Sequence, residues 1–535
     1  MAVTLPPGVS ESALERACAE FAEALGPDAV LTSGADLAEF RDPYTFAGWD
    51  TFKASAVVLP ASTEEVQAVV RIANAHRVPL WTFSQGRNNA YGGAAPRVSG
   101  SVLVNLRRMN RVLEVNEELA YAVVEPGVRF FDLYDHVRAG GHRLWISVPD
   151  QGWGSVTGNA VDHGRGYTHY GDHAGAICGM EVVLANGEVL RTGMGAMDGN
   201  RSWHVYQRGF GPSPDALFMQ SNFGIVTKVG VWLTPQPECL LSCWVRVEGE
   251  AGLSALIDTI RPLLLDRTVS GYPLIRKGIG FGAWDSPAEV WGRGGEGGIP
   301  KETFQRIFEE RNSGWWAMRF AVAGREEIAE AQFEITREAL SQIPGAQLGR
   351  RKYVGDEVFA AVNPDDRVNG GVPGMEILDL MKAQVGETMG HLDFSPVAPL
   401  RGSDVVELGR MLRARIEGHG LAYAPGLIVT PRCVIHVTPL IFDTRDEAKA
   451  RAAFDACAAL IPELKEAGIG LYRTHLSFME QVAEQYDFNH GAQMRFYEKL
   501  KDALDPNGIL APGKQGIWPA GLRSAKDGAD AASGG

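Results

Sequence analysis

The feature that most constrains this chain is a glycine-rich stretch over residues 148–175, V-P-D-Q-G-W-G-S-V-T-G-N-A-V-D-H-G-R-G-Y-T-H-Y-G-D-H-A-G. Its seven glycines lie among small polar and titratable residues, which disfavours both a helix and a central strand. Glycine lets backbone approach a ligand closely, and successive N–H groups in such a loop form a concavity suited to phosphate. A plain surface loop would share this composition, but long loops inside compact domains are usually functional. We therefore expect irregular backbone beside a ligand.

The length and composition indicate a soluble enzyme with two large domains, because 535 residues exceed what one core organises. A net charge of -14 disfavours non-specific binding to nucleic acid or to an anionic membrane, so we expect a small-molecule partner. We find no apolar run near the roughly 18 residues of a membrane span and no secretory leader, which predicts a cytoplasmic protein. The six cysteines follow no zinc or redox spacing, which favours reduced thiols.

A first α/β unit follows an amphipathic helix over residues 10–25. Residues 54–59 are a short apolar run, and Ser62 to Glu65 has the pattern of a helix capping box. Apolar positions then recur with helical spacing, and residues 80–83 resume an extended run. The pattern predicts a strand-helix-strand crossover that ends in a second glycine-rich loop over residues 84–93.

Further patterns predict an α+β fold divided into a first domain, residues 1–236, a second domain, residues 237–470, and a C-terminal part with a tail, residues 471–535. Asn186-Gly187 predicts a hairpin turn with positive φ at both residues. The proline-rich segment at 235–237 marks the first boundary. The predicted strands are 101–106, 112–115, 119–124, 181–184, 188–192, 225–233, 242–247 and 434–442, and the predicted helices are 325–343, 404–417 and 445–460. Residues 526–535 have the composition of a disordered tail.

Two motifs are weighed and set aside. The string from Gly292 to Gly297 satisfies G-x-G-x-x-G, but Pro300 follows it and no strand or ribose-binding acid accompanies it, which favours an ordinary loop. His163, His169 and His173, with Asp162 and Asp172, are metal-ligand types, but the glycines among them prevent the helix that would align them, so no metal is predicted. No common hydrolase or kinase motif is present, which leaves redox chemistry or binding.

Taken together, the segments resemble the vanillyl-alcohol oxidase and para-cresol methylhydroxylase family of flavoproteins, with the strongest likeness to the bacterial eugenol oxidases. The resemblance covers nearly the whole chain. The segments that carry it are L-P-P-G-V-S from Leu5, F-R-D-P-Y from Phe40, N-N-A-Y-G-G-A-A-P-R from Asn88, P-D-Q-G-W-G-S-V-T-G-N from Pro149, Y-G-D-H from Tyr170, Q-S-N-F-G-I-V-T-K from Gln220, G-H-L-D-F-S-P from Gly390, Y-R-T-H from Tyr472 and D-A-L-D-P-N-G-I-L-A-P-G-K from Asp502.

This resemblance implies an FAD-binding domain of the family's type, formed by the first domain and the tail, with an α+β cap domain that binds the substrate. It implies a histidine bonded to the flavin C8 methyl group, at His391; the methylhydroxylase branch uses a tyrosine there and passes electrons to a cytochrome, so His391 favours an oxidase. The other expected cofactor residues are Ser84, Gly86, Arg87, Asn88, Asn89, Pro149, Gly154, Ser155, Gly158, Asn159, Tyr170, Gly171, Gly224, Ile225, Val226 and Lys514.

The resemblance also implies the substrate and the reaction. Tyr91, Tyr472 and Arg473 match the groups that bind a phenol oxygen as phenolate, and Asp150 matches the family's catalytic acid near flavin N5. Lowering a phenol pKa from about 10 to about 7 takes roughly 4 kcal/mol, which two hydroxyl donors and one guanidinium can supply. A hydride then passes from the benzylic carbon of a para-substituted phenol to the flavin, water or proton loss resolves the para-quinone methide, and oxygen becomes hydrogen peroxide.

One residue departs from the family pattern. Asp393 stands where we expect glycine or an apolar residue facing the substrate side chain. It and Tyr167 are the two residues expected in the substrate pocket. An acid in the cavity would have to be protonated, hydrogen-bonded or matched to a polar or cationic substrate; pointing at solvent is the alternative. The other functions that stay open are a same-fold dehydrogenase with another acceptor and a flavin-binding protein without turnover. Family members commonly form dimers or larger homo-oligomers.

Overall fold

A computed structural model describes residues 4–46, 51–277 and 314–525. Two stretches named above, residues 292–297 and 526–535, lie outside these ranges. Among the described residues, no helix combines the length and apolar character needed to cross a bilayer. All six cysteines lie within them and none forms a disulfide.

Helices and strands alternate through the chain in an α+β arrangement. The α-helices are α1 (Glu11–Leu25), α2 (Gly34–Leu37), α3 (Thr63–His76), α4 (Phe130–Ala139), α5 (Val156–Val161), α6 (Gly249–Leu265), α7 (Glu326–Ser341), α8 (Pro364–Asn369), α9 (Glu376–Val385), α10 (Gly402–Gly418), α11 (Glu447–Glu466), α12 (Met479–Ala483) and α13 (Phe488–Leu504).

Two sheets form the first part of the chain. The strands of the four-stranded sheet, in spatial order, are β1 (Val30–Leu31), β2 (Ala56–Val58), β4 (Val102–Asn105) and β3 (Leu80–Phe83). Those of the five-stranded antiparallel sheet are β5 (Val112–Asn116), β6 (Tyr121–Val124), β10 (Ile225–Trp232), β8 (Ile177–Val183) and β9 (Val189–Arg191). A small pair joins β7 (Leu144–Trp145) to β11 (Thr234–Pro235).

The predicted crossover is present, with β4 inserted between its two strands and parallel to both. The Ser62 hydroxyl caps α3 by accepting a hydrogen bond from the Glu65 amide at 3.2 Å. Val66, Val69 and Val70 are fully buried on one helical face, so α3 covers the sheet as its spacing predicts. The hairpin between β8 and β9 also forms, but only Gly187 of its two turn residues has positive φ, and the expectation for Asn186 was wrong. The Asn186 side chain instead accepts a hydrogen bond from the Glu188 amide.

A nine-stranded sheet occupies the middle of the chain, and its core lies between the sheet and helices α6, α7, α10 and α11. Its main path runs through β15 (Gln347–Val354), β12 (Cys239–Glu248), β14 (Trp315–Gly324), β13 (Leu274–Lys277), β18 (Gly426–Val429), β19 (Cys433–Asp443), β17 (Pro396–Pro399) and β20 (Gly470–Leu471), and β16 (Met389–Phe394) pairs with β19.

The C-terminal segment returns to the first sheet. Leu80 bonds through its backbone to both Ile509 and Ala511, so the tail extends the edge at β3. Lys501 is fully buried, where it pairs with Asp505 at 2.8 Å and donates to the Leu510 carbonyl. A buried charge is stable only when it is paired and hydrogen-bonded, as here. The last part of the chain thus contacts the first sheet, while the division at residues 236 and 470 stays a prediction.

Candidate functional site

A cavity of about 470 Å³ lies where the glycine-rich loops, the nine-stranded sheet and the tail meet. Its volume is within the range of small-molecule sites. Many of the expected site residues line it: Ser84, Gly86, Arg87, Asn88, Tyr91, Pro149, Asp150, Gly154, Ser155, Gly158, Asn159, Tyr167, Gly224, Ile225, Val226, His391, Asp393, Tyr472, Arg473 and Lys514.

Three expected cofactor residues are not among those that line the cavity. Asn89 hydrogen-bonds to Tyr44, and that bond lowers the pKa of Tyr44 against the larger effect of burial, which raises it. Gly171 packs against Tyr272, where an added Cβ would lie 2.2 Å from a ring carbon. Tyr170 contacts the rings of His169 and Trp232. These residues support the loop from outside the cavity, so their expected contact with the cofactor finds no support in their positions.

The long glycine-rich loop is less irregular than its composition predicts, because α5 forms inside it. Ser155 caps this short helix by accepting a hydrogen bond from the Gly158 amide at 2.9 Å. At Gly158 an added Cβ would lie 2.1 Å from the Ser84 hydroxyl, so glycine is needed where the two loops meet. The loops thus form one continuous wall of backbone and small side chains.

The histidine and aspartate cluster within this loop is divided among other contacts. His173 bonds to Asn159 and Ser147, Asp172 pairs with Arg165, and Asp162 pairs with Arg473. No group of three or more metal-ligating side chains occurs in the part of the chain that the structure describes.

At one end of the cavity, two tyrosines and an arginine converge. Tyr91 and Ser395 share a hydrogen bond of 3.1 Å, and the Arg473 guanidinium lies 5.8 Å from the Tyr91 ring and 5.3 Å from the Tyr472 ring. Burial raises the pKa of both tyrosines, so their hydroxyls stay protonated and can donate. Arg473 donates through Nε to the Asp162 carbonyl, while its Nη2 has no hydrogen-bond partner among the described residues. These groups can stabilise an anionic oxygen.

Asp150 lies elsewhere in the cavity within a network of charges. Arg319 donates to one carboxylate oxygen at 2.7 Å, while Tyr167 donates to the other at 2.6 Å and Arg276 at 3.3 Å. Arg319 also pairs with Asp365 at 2.7 Å. Burial alone would raise the pKa of Asp150, but the two guanidinium groups and Tyr167 outweigh it and lower the pKa below its usual value. Asp150 is therefore a partly buried but ionised carboxylate.

Sequence reasoning missed Arg276, Arg319 and Asp365. The register of β13 and β14 places Leu274 opposite Arg319, so Arg276, two residues along, lies on the same face. The available signal was a cation within each apolar strand, because a charge in a buried strand needs a partner.

His391 projects from β16 into the cavity, and its side chain is 5% exposed. Burial lowers the pKa of its imidazole, which favours the neutral form. Its Nδ1 atom has no hydrogen-bond partner among the described residues. Thr157 and Asn222, which also line the cavity, have similarly unpartnered oxygens. Unpartnered buried polar atoms call for an explanation, and together with the backbone wall they fit the flavin that the resemblance implies.

Comparisons with known proteins match this chain to flavoproteins. Residues 54–193 match the family described as FAD binding domain, and residues 402–515 match the one described as FAD linked oxidases, C-terminal domain. The flavoprotein subunit of 4-cresol dehydrogenase (hydroxylating) from Pseudomonas putida is 33% identical over 96% of this chain and 97% of its own.

Two solved structures match over nearly their full length. 4-Ethylphenol oxidase from Gulosibacter chungangensis, in its isoeugenol complex, has a TM-score of 0.87 and 40% identity, over 97% of this chain and 100% of its own. Substrate-bound p-cresol methylhydroxylase has a TM-score of 0.86 and 31% identity, over 96% and 99% of the two chains.

Proposed function

Because the chain belongs to the flavoprotein family of 4-cresol dehydrogenase and p-cresol methylhydroxylase, and is therefore an FAD-dependent oxidoreductase, we propose that it oxidises para-substituted phenols with dioxygen as acceptor. The observation that carries the proposal is the pairing of two unlike groups in one cavity. Tyr91, Tyr472 and Arg473 suit a phenolate oxygen, and Asp150 is an acid kept charged away from them.

The proposed cofactor site is the wall formed by the two glycine-rich loops, the start of β10 and Lys514. The bound FAD supplies the redox chemistry by accepting a hydride from the benzylic carbon and passing two electrons to dioxygen, which becomes hydrogen peroxide. The protein contributes the orientation of the phenol, the charge on its oxygen and the handling of protons.

Tyr91, Tyr472 and Arg473 hold the substrate as phenolate. Stabilising the anion by three pKa units requires about 4 kcal/mol, and each hydrogen bond to a charged group contributes about 1.5 to 3 kcal/mol. A phenolate pushes electron density towards its para position, so the benzylic C–H bond loses hydride more readily. The substrate is left as a neutral para-quinone methide.

Asp150 acts at the benzylic end. Its carboxylate stabilises the electron-poor carbon, and it then takes a proton from the water that adds to the quinone methide and gives the alcohol. Substrates that lose a proton instead give an alkene, and a starting alcohol gives the aldehyde. Arg276, Arg319 and Tyr167 hold the carboxylate in its charged form and fix its orientation.

His391 is proposed to bond covalently to the flavin C8 methyl group. The neutral, buried imidazole faces the cavity, and an unprotonated nitrogen is the form that would attack the methyl carbon. A C–H bond of the methyl group would break as the C–N bond forms; its proton would pass to solvent, its electron pair would reduce the flavin, and dioxygen would reoxidise the flavin with formation of hydrogen peroxide. The 40% identical neighbour is named an oxidase, which agrees with dioxygen as acceptor. The second candidate is a dehydrogenase that uses another acceptor, because the 33% identical relative is named a dehydrogenase.

The function is tested by mixing purified protein anaerobically with 4-ethylphenol, recording the flavin absorbance and then admitting air. We expect rapid bleaching and rapid recovery, with hydrogen peroxide formed. The Asp150→Asn variant should bleach about 10²- to 10³-fold more slowly, the usual cost of removing a group that stabilises charge in the transition state. Bleaching without recovery would establish the dehydrogenase, and failure of the wild-type protein to bleach would reject phenol oxidation.

The covalent link is tested by precipitating the protein with acid and following the flavin fluorescence. In the wild-type protein the fluorescence should stay with the denatured chain, and in His391→Ala it should pass into the supernatant. His142→Ala, which changes a histidine on the surface beside Glu117, serves as the control and should keep its flavin. Release of flavin from the wild-type chain would contradict the proposal.

The charge network predicts a change in pH dependence. Because Arg319 lowers the pKa of Asp150, the ionised form persists in the wild-type protein well below neutral pH. Replacing Arg319 with Met should raise that pKa by about 1 to 3 units, so the acidic limb of kcat/KM moves to higher pH. Arg351→Met, which removes a partner of Asp366 but not of Asp150, should leave the limb in place. Equal profiles for the wild-type and Arg319→Met proteins would show that Arg319 does not govern Asp150.

A further inference from the structure

Asp393 lies on β16 between the histidine proposed to carry the flavin and the serine bonded to Tyr91. Side chains alternate along a strand, so His391, Asp393 and the following Ser395 point to the same side of β16, while Leu392 and Phe394 pack into the core. Residues two apart along a strand are separated by about 6.6 to 6.8 Å. Asp393 therefore stands one step from the histidine proposed to carry the flavin and one step from the serine bonded to Tyr91.

The Asp393 carboxylate faces the cavity without a matching donor. Its side chain is 20% exposed and lines the cavity. The Nε2 atom of His391, whose imidazole burial keeps neutral, lies 3.8 Å away, beyond hydrogen-bond distance. Within the described chain, no group donates a hydrogen bond to it. A buried carboxylate in this position is costly unless a ligand supplies the missing donor.

The surrounding charges place Asp393 with the group that binds the phenol oxygen. Burial raises the pKa of Asp393 above its usual value, and His391 and Arg473 offset only part of that rise. Burial is the main cause of the raised pKa of Tyr91 and Tyr472, and the charge of Asp393 adds a smaller effect in the same direction. It acts in the same way on Tyr44 and Cys457, which lie on other elements. The groups that set the pKa of Asp150 are Arg319, Arg276 and Tyr167. Asp393 therefore lies beside the group proposed to bind the phenol oxygen, one strand step from the Ser395 that bonds to Tyr91. The expectation that it faces the substrate side chain stays a prediction.

We propose that Asp393 makes this site selective for 4-alkylcatechols, whose second hydroxyl lies ortho to the bound phenol oxygen and donates a hydrogen bond to the Asp393 carboxylate. The inference rests on the proposed function, since Tyr91, Tyr472 and Arg473 must hold the first oxygen. An ortho substituent is bonded to the ring carbon next to the one that carries that oxygen, so it lies beside the oxygen. A methoxy group has no proton to donate, and an unsubstituted phenol leaves Asp393 without a partner, so guaiacols and simple phenols bind less well.

The test measures binding of catechol, guaiacol and phenol to the FAD-loaded protein by calorimetry. These rings lack a benzylic carbon and cannot be turned over. Catechol should bind roughly tenfold to a hundredfold more tightly than guaiacol, the range for a hydrogen bond to a charged group. Asp393→Ala should bring the two within about threefold of each other, and Asp393→Asn, which keeps the size and an acceptor oxygen but not the charge, should fall between.

Glu387→Gln is the matched control, because Glu387 is 86% exposed and pairs with Lys382 shortly before the same strand. It should keep the wild-type preference for catechol. Equal binding of catechol and guaiacol by the wild-type protein, or a preference that persists in both Asp393 variants, would overturn the inference.

Turnover separates this inference from the proposed function. Flavin reduction by 4-ethylphenol, 4-ethylguaiacol and 4-ethylcatechol should be most efficient, by kcat/KM, with the catechol. If 4-ethylphenol reduces the flavin while the catechol holds no advantage, the selectivity is wrong and the function stands. If none of the three reduces the flavin, the function fails, and a preference for catechol in the calorimetry would still support the role of Asp393 in binding.

Discussion

Keeping a carboxylate charged inside a buried cavity is the constraint on which the site depends. Asp150 comes from the glycine-rich loop, but the two cations that hold it come from neighbouring strands of the nine-stranded sheet. Arg319 also pairs with Asp365, so a second carboxylate offsets the positive charges around Asp150. Because an unpaired charge in such a place is strongly unfavourable, the contact between the loop and the sheet keeps Asp150 ionised. The ionised acid and the junction between the two parts of the chain are therefore the same structural feature.

Strand β16 supplies a second, geometric constraint. One alternation of side chains sends His391 and Asp393 towards the cavity, places Ser395 on the same side, where it bonds to Tyr91, and packs Leu392 and Phe394 into the core. A slip of one residue in the pairing with β19 would reverse both sets at once, so burial of the apolar residues fixes the direction of the polar ones. A single strand register thus positions His391, the proposed flavin attachment site, together with Asp393, proposed to select the ring substituent, and Ser395, which bonds to Tyr91.

Local sequence patterns predicted the features that depend on interactions between residues close in the chain. Helix α3 and its cap, the short strands and the two loops that line the cavity follow from apolar spacing, capping residues and glycine content. Helix α5, which Ser155 caps, was not predicted, because the glycines around it disfavour a helix. Tyr170 and Gly171 are close in sequence to the cavity residues, yet they pack away from it. The network around Asp150 could not be predicted, because sheet register brings together residues 169 positions apart. The resemblance supplied the roles of Tyr472 and Arg473. Their residue types alone do not distinguish them from the end of an ordinary strand.

The central claim is that this cavity binds a phenol as its anion. The most direct measurement is the ultraviolet difference spectrum of 4-bromophenol, which has no benzylic carbon, bound to the protein at pH 6. A free phenol, with a pKa of about 10, is neutral at that pH. Our account predicts that the bound ligand shows the absorption band of the phenolate and that the Arg473→Met variant loses it. A bound ligand with the spectrum of the neutral phenol would contradict the account.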